Sequence, residues 1–124
     1  MRAIIMDTTK EGKITYDLEA IRKQMKEINK IPILLERTSL EKITEIDPNE
    51  IIGYIDHISL HKGIYRGDVT IIQEDYKELV DAYLKIDQFH LAINVDGEQD
   101  EVSKNIRIVK INTIYYAYME KSLN

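Results

Sequence analysis

The chain has no cysteine, five glycines and two prolines in 124 residues. The missing thiols exclude disulfides and thiolate metal sites, and they suit the cytoplasm or a particle assembled there. The glycines, at positions 12, 53, 63, 67 and 97, are isolated. No glycine-rich phosphate loop can be built from them, and each suits a turn or a strand irregularity. Positive charge is also scarce: 17 Lys and Arg stand against 22 Asp and Glu, for a net charge of −5. The basic residues are scattered among acids rather than gathered in a stripe, so neither nucleic acid nor a membrane is expected as a partner. No apolar run approaches the roughly 20 residues that span a bilayer. The opening Met1-Arg2-Ala3-Ile4-Ile5-Met6-Asp7 has no long apolar core and no small-residue cleavage site, so no signal peptide is expected. There is no GxSxG, HExxH or P-loop pattern.

What is present is an ordinary globular composition, 44% hydrophobic and 31% charged. The length fits a single domain over residues 1–124. Residues 2–6 read as a strand, and Glu11-Gly12 as a turn before a short return strand over 13–16. Asp17 is an N-cap for a helix over 17–29, with Leu18, Ile21, Met25 and Ile28 at helical spacing. Asn29 closes it and Pro32 stops it from continuing. Residues 31–36 form an apolar strand. Thr38-Ser39-Leu40-Glu41 matches a capping box, which predicts a short helix over 39–46. Asp47-Pro48-Asn49 is a turn. Residues 51–60 and 64–72 flank Lys62-Gly63 and read as a hairpin. A second helix covers 74–85, with Tyr76, Leu79, Val80 and Tyr83 on one face. Strands are expected over 88–95 and 106–118, joined by an exposed, mobile acidic loop at 96–105. The order predicts an α+β domain: a small mixed or barrel-like β-sheet with two main helices and one short helix.

The segment His57-Ile58-Ser59-Leu60-His61 invites a catalytic reading, because residues i, i+2 and i+4 of a strand share a face. The two histidines would then stand about 13 Å apart, too far to grip one metal ion. The plainer expectation is a polar outward face, with Ile58 and Leu60 turned inward. His90, between Phe89 and Leu91, is expected to be an ordinary strand histidine. Asp96-Gly97-Glu98-Gln99-Asp100 lacks the ligand rhythm of a calcium loop. No metal site and no cofactor are therefore expected. Tyr115, Tyr116 and Tyr118 form the most prominent aromatic group. Tyrosine is favoured at interfaces, so these three are candidate partner-binding residues.

Several segments together carry a family resemblance. Ile31-Pro32-Ile33-Leu34-Leu35-Glu36-Arg37 lies where a PLLxxH strand is expected. Ile51-Ile52-Gly53 and Gly63-Ile64-Tyr65 match a strand opening on IG and a GLY turn. Leu91-Ala92-Ile93-Asn94-Val95 resembles an LSIGF strand, and Ile106-Arg107-Ile108-Val109-Lys110-Ile111 a closing strand. From about residue 30 to 119 the chain resembles the prohead (head-maturation) proteases of tailed phages. That resemblance implies a barrel-like protease fold. It also implies a lost active site: Glu36 or Arg37 stands at the histidine position and Ala92 at the nucleophile position. Arg37 and Ala92 are then vestigial protease positions with no catalytic residue between them, and two parts of a serine-protease mechanism are missing.

The resulting expectation is a non-enzymatic auxiliary or decoration protein of the virion head. Its partners would be the major capsid protein or other head proteins, with self-association as a further expectation. Strand edges, the N-terminal strand and the tyrosine group are the expected contact surface, with avidity from many copies. Three other readings stand beside it. One is an active serine hydrolase using His57, Ser59 or His90. Another is a phage anti-defence or regulatory binding protein, and the last a scaffold or cargo protein ejected with the genome.

Overall fold

Alternating isoleucines and one tight turn set up the centre of the molecule. In the computed structural model, which describes residues 1–10, 12–34, 46–86, 89–112 and 116–121, strands β4 (Ile51–His61) and β5 (Ile64–Ile71) form an antiparallel hairpin. Lys62 and Gly63 close it with φ of 50° and 76°, the paired left-handed conformations of a type I′ turn. The N-terminal strand β1 (Arg2–Asp7) adds to β5, antiparallel.

Asp17 caps helix α1 (Leu18–Met25), accepting from the Ala20 N–H at 3.2 Å. The helix is shorter than its sequence pattern. The chain then enters β3 (Lys30–Leu34), where Pro32 sits inside the strand. Asp47 caps the 3-10 turn Pro48–Glu50 that leads into β4. The short helix expected over 39–46 falls outside the described residues, apart from Ile46.

Helix α2 (Glu74–Leu84) follows β5 and packs on β6 (Phe89–Ile93) and β5. With β9 (Ala117–Lys121) the main sheet runs β1-β5-β4-β3-β9-β6. Its two outer strands, β1 and β6, lie beside each other, so the sheet nearly closes into a barrel. Register shifts at Ile4/Met6, Ile33/Leu34 and Asp56/Ser59 supply local twist for that curvature. The expected α+β architecture with a barrel-like sheet is present.

Strands β2 (Ile14–Tyr16), β8 (Ile106–Ile111) and β7 (Val95–Gln99) make a second, smaller sheet. Helix α1 is joined to it through Gln24. The Gln24 side chain donates to the Ile111 carbonyl at 3.0 Å and accepts from the Ile111 N–H at 2.6 Å, as a neighbouring strand would.

Two expectations are corrected here. The strand predicted over 106–118 is two strands in different sheets, β8 and β9. The crossing is anchored at Asn94, whose N–H donates to the Tyr116 carbonyl while its own carbonyl accepts from the Asn112 N–H. The segment predicted as a mobile loop over 96–105 is strand β7 followed by a tight turn. Two of its exposed acids are engaged: Asp96 faces Lys110 across the strands at 3.9 Å. Asp100 accepts from the Val102 and Ser103 N–H groups at 2.8 and 2.9 Å. Those two bonds hold its carboxyl below the usual carboxylate range.

The core is mostly isoleucine. Ile31, Ile33, Ile55, Leu91 and Ala117 have no accessible surface, and Ile31 stands directly opposite Ile55 across β3 and β4. Among the described residues no helix is long and apolar enough to cross a membrane.

Candidate functional site

The sheet order places Ala92 in one row with Tyr118 and Leu34. Ala92 on β6 pairs with Tyr118 on β9, and Tyr118 pairs with Leu34 at the end of β3. Leu34, Tyr118 and Ala92 therefore form one row across three strands. At about 4.8 Å per strand, Leu34 and Ala92 are about 10 Å apart. Glu36 and Arg37 lie outside the described residues.

Ala92 is 8% exposed. Directly opposite residues of an antiparallel pair share a face, with Cβ atoms about 5 Å apart. The position of the expected nucleophile thus carries a methyl group, turned toward the half-buried Tyr118. His90 lies two residues before Ala92 on the same face, half-buried and opposite Glu120 in register. It is the one imidazole on that face among the described residues, and no nucleophilic side chain stands at the adjacent position 92.

The tyrosine group divides. Tyr116 is 5% exposed, and its ring meets that of Tyr118 at 5.9 Å between centroids, tilted by 46°. The two rings pack together, and the Tyr116 ring is used within the fold and offers almost no contact surface. That corrects its place among the candidate partner-binding residues. Tyr118 is half-buried, and Tyr115 lies outside the described residues.

The segment 57–61 also differs from its expected geometry. β4 carries a bulge between Asp56 and Ser59, with His57 in the left-handed region at φ 49°. Histidine is among the residues that tolerate this region best. Leu60, expected inside, is 40% exposed beside Tyr65 near the end of the hairpin, while Ile58 packs on the core. His57, Ser59 and His61 are all exposed.

The bulge gathers residues that sequence spacing does not connect. His57 Nδ1 lies 3.1 Å from Asp56 Oδ1 and 3.2 Å from Asp68 Oδ2. Arg2 donates to Asp68 at 2.9 Å and to Ser59 Oγ at 2.7 Å. Ser59 is thus held by a guanidinium, which cannot accept its proton, so this serine has no general base in that contact. The ligand atoms of Asp56, His57 and Asp68 lie within 4.8 Å of one another, close enough to face one divalent ion. Arg2 already supplies a positive charge to Asp68, and the side chains are well exposed. The arrangement is a solvated ion-pair cluster tying β1 to the bulge, worth about 1 kcal/mol or less per pair. Nothing in the local sequence announces it, because Arg2 and Asp68 are 66 positions apart.

No protein-family model, curated protein or solved structure matches the chain. The class defined by the fold is an α+β domain built on a six-stranded, nearly closed sheet.

Proposed function

We propose that this chain is a non-catalytic head protein of a tailed phage, which binds the capsid shell on an inactivated prohead-protease-like fold. The observation that carries the reading is the row Leu34–Tyr118–Ala92. The sheet is barrel-like, and the position that the resemblance aligns with the nucleophile is a buried alanine facing a tyrosine. A barrel needs its core residues whatever its use. An active site needs a nucleophile only while selection acts on turnover, so retention of the fold with loss of the hydroxyl fits a binding role. The partners are the major capsid protein or other head proteins, and the place of action is the virion head.

Co-sedimentation of the purified chain with empty phage heads tests this. Binding that saturates at a copy number set by the lattice symmetry is the expected result. No binding above background sinks the proposal.

A second measurement addresses the chemistry. Neither the natural chain nor Ala92→Ser is expected to be labelled by a fluorophosphonate probe. A hydroxyl restored at position 92 gains no general base from Tyr118, and covalent catalysis needs an activated nucleophile. Stoichiometric labelling of Ala92→Ser would show that a general base, with His90 the imidazole on that face, still serves position 92 and that the natural chain lacks only the hydroxyl. Labelling of Ser59 in the natural chain would favour the hydrolase reading.

A further inference from the structure

We infer that the outer face of α2 is the docking surface of this protein, and that it takes a segment that is both apolar and basic. This names the chemistry of the partner and relies on the head-binding reading only for where that partner is found.

Nine large hydrophobic residues are exposed among the described residues, and four of them fall between positions 72 and 86. Leu79, Tyr83 and Ile86 are 41%, 36% and 44% exposed. Their i, i+4, i+7 spacing puts them on one face of the helix and its last turn. Ile72, 56% exposed, lies at the foot of the same element, just before the N-cap Gln73. The core-facing side is a different stripe, with Val80 buried and Tyr76 and Leu84 packed against the core. The helix therefore satisfies the sheet with one side and presents a second apolar stripe to water. Contiguous exposed apolar surface of this kind marks interaction sites.

The charge beside the stripe selects the occupant. Asp75 lies one turn before Leu79 on the same row, and Glu74 and Glu78 run along the adjacent row, all three exposed. Glu74 and Asp75 also complement the positive end of the helix dipole, but Glu78 lies beyond the first turn. The N-terminal half of the stripe thus carries three acids against Lys77 on the far side of the helix. An amphipathic segment with Leu- or Ile-type anchors and flanking Lys or Arg complements both features.

Two probes separate this inference from the head-binding reading. The first is a fluorescein-labelled 14-residue helical peptide of leucine and lysine, with a leucine and glutamate peptide as its control, read by anisotropy. The expected result is binding of the leucine–lysine peptide alone, weakened at least tenfold by Leu79→Glu and by Glu78→Lys. Leu79→Glu makes the protein more acidic, so a merely electrostatic association would tighten with that variant. Equal or tighter binding by Leu79→Glu, or no peptide binding at all, overturns the inference. Ile86→Glu repeats the test at a second exposed position, and an unchanged thermal midpoint shows that each variant is folded. The second probe is the empty phage head. If the natural chain and Leu79→Glu co-sediment equally, the α2 surface is refuted and the head-binding reading stands. If the peptide results hold but the natural chain leaves the heads unbound, the surface stands and the head-binding reading falls.

Discussion

Replacing Ile55 by alanine is expected to destabilise the fold by about 4 kcal/mol, within the range for large-to-small changes at fully buried sites. Ile55 has no accessible surface. It lies on β4 with Ile31 opposite on β3 and Val69 opposite on β5, at the centre of the six-stranded sheet. The carbons removed lose their transfer free energy, and the void is slow to collapse because the surrounding strands are tied by backbone hydrogen bonds on both sides. A urea titration reads the effect as a lowered midpoint with an unchanged slope. Ile31→Ala should cost a similar amount. The double variant should cost less than the sum, because the two residues share one neighbourhood. An Ile55→Ala midpoint close to the natural one would mean that this sheet is not the cooperative core.

The parts of the fold that were legible in the sequence are those specified locally. Asp17 announces α1 because its short carboxylate can reach the N–H of Ala20. Lys62-Gly63 announces the β4–β5 hairpin because two consecutive left-handed residues need a glycine. The parts that local sequence does not reveal depend on partners far along the chain. β7 looks like a loop because both of its faces are polar, and its strand character comes from pairing with β8. The switch of sheet between β8 and β9 rests on backbone bonds from Asn94 to Asn112 and Tyr116 and on the Asn112 side chain donating to Asn94 Oδ1, and none of these contacts shows in side-chain periodicity.

The candidate site divides in the same way. That Ala92 cannot be a nucleophile is plain from its identity, but its burial and its alignment with Tyr118 and Leu34 need the sheet order. Tyrosine is amphipathic and suits an interface or a sheet interior alike, and only the crossing of the chain places the Tyr116 ring inside. The exposed stripe on α2 was half visible. Tyr76, Leu79, Val80 and Tyr83 make one apolar face in the sequence, wider than a single core contact requires. The sheet takes Tyr76 and Val80 and leaves Leu79 and Tyr83 outside.

Gly53→Ala is the second large effect expected, a loss of about 3 kcal/mol, at the upper end of what overpacking costs. A methyl group built on Gly53 would lie 2.3 Å from the Thr70 carbonyl oxygen and 3.0 Å from the Ile71 Cα. Both are backbone atoms of β5, the strand paired with β4 at this point, so no rotamer change can relieve the clash. The ladder itself must move. The next bonds along it, from the Ile72 and Gln73 N–H groups to the Ile52 carbonyl, set the start of α2 and would move with it. Gly67 makes the informative comparison. Its added methyl would also lie 2.3 Å from a neighbour, but that neighbour is the Ile55 Cγ2 methyl, a side-chain atom. The Asp56 carbonyl oxygen beyond it is at 3.1 Å. Ile55 is β-branched and fully buried, so that methyl yields only by an off-rotamer χ1 or a small strand shift, and Gly67→Ala should cost about 2 kcal/mol, less than Gly53→Ala but not little. Gly53 and Gly67 both lie outside the left-handed region, so neither cost comes from backbone conformation. Paired urea midpoints for the two variants read the ranking directly. A larger loss at Gly67 than at Gly53 would show that close approach of the two backbones is not what requires glycine at position 53.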